Sequence, residues 1–170
     1  MNDGYLKASR TLESDLVYTP REAILPLLEF IPKGKIIWCP FDEDDSEFVK
    51  VFKENGFQVI NSHINYEQDF FSFEPAAYDL IVSNPPYSVK DKVLKRLYEL
   101  DKPYAMLLPL PALQGQKRFQ YIKDCQALIF NKRINFFKDK EKKEIQKGIS
   151  FATIYVCRKF LPKDLIFKEL

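Results

Sequence analysis

Residues 78–83 (YDLIVS) run straight into Asn84-Pro85-Pro86-Tyr87, and no other feature of the 170-residue chain limits its fold as strongly. A short apolar run of this kind reads as a strand buried on both faces. Two consecutive prolines cannot continue a sheet ladder, so the strand has to end at Asn84. Ser88 with Asp91 then begins a helix, with Val93, Leu94, Leu97 and Leu100 on one side.

The same alternation recurs along the chain. Residues 35–40 (KIIWCP), 57–61, 104–109, 127–131 and 151–158 (FATIYVCR) read as strands, and 66–71 as a short third one. Asp45 or Ser46 caps a helix in which Phe48, Val51 and Phe52 share a face, closed by Gly56. Residues 116–124 form another helix. Residues 1–17 are polar and read as an arm. Thr19 as cap, Pro20 at the first position and Glu22 in a capping box predict a helix carrying Ile24, Leu27, Leu28 and Ile31 on one face, bent at Pro26 and closed by Gly34. Strands alternating with helices predict one α/β domain over 18–170. Its sheet is mostly parallel with helices on both faces, and its last two strands form an antiparallel hairpin at one edge. Ligands in such sheets bind beyond the carboxyl ends of the strands. That rule gathers residues 40–45, 61–64, 84–87, 109–115 and 132–150 on one rim.

Composition narrows the function. Lys and Arg number 26 against 24 Asp and Glu, a net charge of +2, which excludes a globally cationic nucleic-acid coat but permits a local basic patch. No apolar run approaches the ~20 residues of a membrane span. The first fifteen residues lack a signal-peptide core, so the cytosol is the expected compartment. Cys39, Cys125 and Cys157 are far apart and read as reduced, buried thiols. One histidine cannot anchor a His-rich metal site, and no metal is expected.

Chemistry concentrates at residues 84–87. Pro85 and Pro86 fix the backbone and leave carbonyls as acceptors, the Asn84 amide oxygen is another acceptor, and Tyr87 offers a flat face. Convergent acceptors beside a ring suit a planar group bearing an NH2. Accepting both hydrogens of an aromatic amine localises its lone pair, so position and electrostatics supply the rate without a strong base.

Over roughly residues 18–160 the chain resembles the S-adenosylmethionine-dependent methyltransferases that modify exocyclic amines, in particular small prophage-type adenine-N6 DNA methyltransferases. Asn84-Pro85-Pro86-Tyr87 is similar to their catalytic tetrapeptide. The resemblance implies a Rossmann-like class I methyltransferase sheet, S-adenosylmethionine as cofactor and methyl transfer to adenine N6 in nucleic acid, DNA ahead of RNA. It implies that Tyr18, Thr19 and Pro20 hold the methionine end of the cofactor, and that Pro40, Phe41 and Asp42 form the first cofactor loop. Asp69 and Phe70 hold its adenine, and Phe136 or Phe137 supplies a second aromatic against the flipped base. Where the family carries glycines, this chain has Asp42, Glu43, Asp44 and Asp45; where it carries a ribose-binding acid, Ser62 or His63 is the expected substitute, with Ile64 packing on the cofactor's adenine.

No separate recognition domain is expected within these 170 residues. The lysine-rich insertion 132–150, with Lys140 and Lys143, is expected to touch substrate phosphates, with Lys117 and Arg118 widening the basic surface, Gly148 as a hinge, and Lys7 and Arg10 of the arm as further contacts. Other acceptors (RNA adenine, protein glutamine) and a degenerate, non-catalytic binding fold are the alternatives. A homodimer or a separate recognition subunit is the partner expectation, and no membrane.

Overall fold

The computed structural model describes residues 17–147 and 151–170. The expectations for Lys7, Arg10 and Gly148 lie outside them. Seven strands form one sheet: β1 (Ile36–Cys39), β2 (Gln58–Asn61), β3 (Leu80–Ser83), β4 (Tyr104–Pro109), β5 (Gln126–Phe130), β6 (Thr153–Arg158) and β7 (Leu165–Lys168). Their order is β2-β1-β3-β4-β6-β5-β7. β1 pairs in parallel with β2 and β3, β3 with β4, and β5 with β7, while β6 is antiparallel to both β4 and β5. Six strands therefore point one way and β6 alone is reversed.

Period-two alternation divides the core between the two faces. Ile37, Cys39, Leu80, Val82, Ala105, Leu107, Tyr155 and Cys157 face one side, against helix α1 (Glu47–Glu54) and the segment 21–31. Trp38, Ile81, Tyr104, Met106, Leu108, Ile154 and Val156 face the other, against α2 (Lys90–Leu100) and the short α3 (Phe119–Ile122). Ser46 caps α1, its hydroxyl accepting from the Phe48 amide, and Gly56 follows with φ +81°, a left-handed turn that suits glycine.

Four expectations are corrected. The segment 19–31 is two 3-10 turns, Arg21–Ala23 and Leu25–Phe30, without a side-chain cap. Pro26 has no N–H and its ring would clash with the carbonyl four residues back, so an α ladder cannot pass it. Ala23, Ile24, Leu27 and Ile31 are buried all the same. No strand forms at 66–71: a 3-10 turn at Ile64–Tyr66 ends on Glu67 at φ 58°, which reverses the chain. Residues 116–124 hold a 3-10 turn and then only one turn of α-helix. The hairpin of β5 and β6 forms, but β6 lies inside the sheet and β7 takes the edge. Cys39 and Cys157 are free and buried, and Cys125 is half-buried beside the Tyr104 hydroxyl, 3.0 Å away.

Candidate active site

Because β1–β4 are parallel, their carboxyl ends meet on one rim, and the reversed β6 starts there too. The register sets Thr153 opposite Pro109 at that end. Phe151, just before β6, consequently packs on Tyr87, with ring centroids 5.7 Å apart at 64°.

Asn84 is the first residue beyond β3. Its Nδ2 donates to Thr19 Oγ1 at 3.1 Å, which ties the rim to the N-terminal block. Its Oδ1 is buried and has no hydrogen-bond partner among the described residues. Leaving such an acceptor unmet costs about 1–3 kcal/mol, so its persistence calls for a cause. Pro85 is buried, and the carbonyl of half-buried Pro86 accepts from the Val89 amide at 3.2 Å. Tyr87 is half-buried and opens a 3-10 turn leading into α2.

The loop after β1 is closed on itself. Asp42 is buried, its carboxylate accepting from the Ser46 and Ser83 hydroxyls, and burial pushes its pKa up to about 6 against the pull of those two bonds. Asn61 Nδ2 donates to Asp44 Oδ1 at 3.0 Å, and Asn65 Nδ2 donates to the Glu43 carboxylate. Lys140 also donates to Glu43 and lies 3.6 Å from Asp45, and Lys142 donates to Glu47. The bond from Lys140 holds the Glu43 carboxyl below its ordinary range. Residues 138–147 thus lie over the acidic loop, fastened further by the two-way backbone pairing of Tyr18 with Phe137 at 2.8 and 2.9 Å.

Several residues expected at the site have other work. Ser62 is fully buried and accepts from the Trp38 indole at 2.9 Å, so it cannot reach a ribose. Phe70 is also buried, between Trp38 at 5.4 Å and Phe41 at 4.9 Å, and cannot stack on a cofactor ring. Asp69 caps its own turn, Oδ1 accepting from the Phe71 amide at 3.1 Å. Nδ1 of His63 accepts from the Asn65 amide at 3.1 Å, and burial lowers the ring's pKa, so the neutral ring keeps its proton on Nε2. Lys140 and Lys143 are each paired with an acid, Lys143 with Glu141, and their side chains stay 50% and 74% exposed. Arg118 donates to the Pro111 and Gln114 carbonyls and pairs with Asp91 at 2.7 Å, a clamp on the loop after β4; Lys117 beside it is exposed. Phe136 is buried, but lines a cavity of about 110 Å³ shared with Asn135, Gln146, Phe151 and Thr153. Phe137 is half-buried under the Tyr18 bridge.

Tyr18, Thr19, Pro20, Pro40, Phe41, Asp42, His63 and Ile64 do gather along the rim. Ile64 is 52% exposed, and Tyr66 and Phe71 are uncovered as well. Sequence reading missed Ser83, Phe71 and Phe151. A serine ending an otherwise apolar strand was the available signal for the first. The direction of β6, already implied by the hairpin, was the signal for the last. Among the described residues no cluster of His, Cys, Asp and Glu could hold a metal, and no helix is long and apolar enough to cross a membrane.

No family model matches the chain, and no curated protein matches it in sequence. Solved structures do. The methyltransferase subunit of a type I restriction-modification system from Streptococcus thermophilus aligns over 90% of this chain and 47% of its own, with a TM-score of 0.50 at 12% identity. A predicted O-methyltransferase from Agrobacterium tumefaciens aligns over 86% and 83%, with a TM-score of 0.46 at 7% identity. This chain thus shares the fold of the restriction-modification methyltransferase subunit, and spans about half of its length.

Proposed function

We propose that the protein is an S-adenosylmethionine-dependent methyltransferase acting on the exocyclic N6 amine of adenine in DNA. The observation that carries this reading is the buried, unpartnered Oδ1 of Asn84. An acceptor facing no donor of the protein fits a ligand NH2 that reaches it when the rim opens, since the oxygen is closed off from solvent in this structure. Thr19 Oγ1 accepts from the amide nitrogen, which fixes how the oxygen is turned before any substrate arrives.

The proposed reaction needs a methyl donor, and the uncovered rim residues support a place for one. Uncovered Ile64, Tyr66 and Phe71 fit a planar heterocycle, and Nε2 of His63 offers a donor for ribose hydroxyls. Tyr18, Thr19, Pro20, Pro40 and Phe41 would hold the methionine end, where Lys140 and Lys142 neutralise the nearby acids. When bound, S-adenosylmethionine supplies an electrophilic methyl group on a sulfonium. The chain's own residues do the rest. Asn84 Oδ1 and the Pro85 carbonyl accept the two amine hydrogens and localise the nitrogen lone pair. Tyr87, backed by Phe151, stacks on the extruded base and returns about 1–3 kcal/mol of the few that unstacking costs. No side chain near the amine has to act as a strong base, because the proton leaves after the nitrogen has become cationic.

A second reading, a non-catalytic binding fold, draws on the closure of the loop after β1 by its own partners. Incubation with tritiated S-adenosylmethionine and separate DNA, RNA and protein pools separates the two. Label in DNA supports the enzyme, label only in RNA or protein replaces its acceptor, and no label with no cofactor binding by calorimetry leaves the binding fold.

A further inference from the structure

We infer that the outer edge of β7 is a self-complementary interface through which two copies of this chain join their sheets. β7 is the last strand of the sheet and pairs only with β5 among the described residues. Its apolar side chains are open: Leu165 is 51% and Phe167 68% exposed, beside a shallow groove that reaches Phe30. Native proteins usually blunt such an edge with charge. Here the charges are arranged to match themselves.

Backbone phase sets which registers are allowed. The Ala127 amide donates to the Asp164 carbonyl at 2.7 Å, and the Asn131 amide to the Lys168 carbonyl at 2.9 Å. Residues 164, 166 and 168 therefore turn their backbone groups toward β5, and Leu165 and Phe167 turn theirs outward. An antiparallel copy can use those outward groups in three registers, centred on 165, 166 or 167. Centring on Ile166 sets Leu165 opposite Phe167 and Asp164 opposite Lys168, and brings Lys163 and Glu169, just beyond the strand ends, into reach of one another, each pair occurring twice across the two-fold axis. Centring on 165 sets Lys163 opposite Phe167, and centring on 167 sets Leu165 opposite Glu169, so neither matches. Lys168 already pairs with Glu29 at 2.6 Å, so Asp164 of the second copy would join a charged cluster there. The strands of the two copies run in opposite directions, so the two rims face opposite ways and each acts on its own substrate.

The test is sedimentation velocity of the full chain over a concentration series, with melting temperature as the control for folding. A dimer is expected. Leu165→Pro removes an outward N–H without touching the bonds to β5, and should yield monomer. Lys163→Glu and Glu169→Lys each place like charges opposite one another twice and should weaken association by roughly tenfold or more. The double variant restores both pairs and should restore the dimer. A wild-type chain that stays monomeric at every concentration overturns the inference. So does a dimer indifferent to these changes, or a double variant no better than the singles.

Discussion

The loops that follow β1 and β3 leave neighbouring strands on the same rim and treat their polar groups in opposite ways. After β1, the four acids 42–45 each have a partner within the protein: serines for Asp42, Lys140 and Asn65 for Glu43, Asn61 for Asp44, Lys140 near Asp45. After β3, a buried amide oxygen is left without one. A loop that satisfies itself is built for stability. One that keeps an unmet acceptor trades stability for a ligand. Under the proposed function, the difference assigns Asn84 to the ligand and the acidic loop to framing the rim.

Asn84→Ala strikes this contrast hardest. Methyl transfer should fall roughly 100- to 1,000-fold, the usual cost of one lost electrostatic contact in a reacting site. The melting temperature should hold or rise, since an unsatisfied acceptor is removed with the bond to Thr19. A large drop in melting temperature would make Asn84 structural.

Asp42→Asn probes the other loop. The folded state holds the Asp42 proton more tightly than the unfolded chain does, because its pKa rises from 3.8 to about 6. The associated stability is present below pH 3.8 and lost as pH climbs through about 6. Between pH 4 and pH 7 the wild type should lose at most about 3 kcal/mol relative to the Asn variant. Denaturant titrations at the two pH values measure it; the same change in unfolding free energy in both proteins would mean that the carboxylate is not closed in.

Tyr87→Ala should cost roughly 5- to 150-fold in transfer, with Tyr87→Phe keeping most of it, because the ring face does the stacking. Thr19→Val should lower kcat by roughly tenfold with KM little changed, as an amide free to turn misplaces its oxygen. Smallest of all, Lys140→Ala should cost under about 1 kcal/mol, given how exposed the lysine is, and nothing in high salt. Unchanged stability at low salt would deny that the lysines hold the acidic loop.

Much of this was legible because burial on both faces writes itself as apolar runs: 35–40, 78–83, 104–109 and 151–158 each delivered a strand, and the proline pair marked where β3 stops. What was hidden depends on contacts far apart in sequence. The lysine-rich insertion reads as a phosphate patch until folding brings Lys140 onto Glu43, 97 positions away. Ser62 and Phe70 have the chemistry of cofactor contacts, yet Trp38 claims both. Four residues flanked by charges, 165–168, carry too little signal to declare β7. The helix signature at 19–22 was overridden by Pro26.

Mass spectrometry of nucleosides from DNA incubated with the protein and S-adenosylmethionine tests the central claim most directly. The account requires N6-methyladenine with the wild-type chain and almost none with Asn84→Ala. Methylation of a ring carbon or an oxygen instead, or the same N6-methyladenine yield from both proteins, would contradict it.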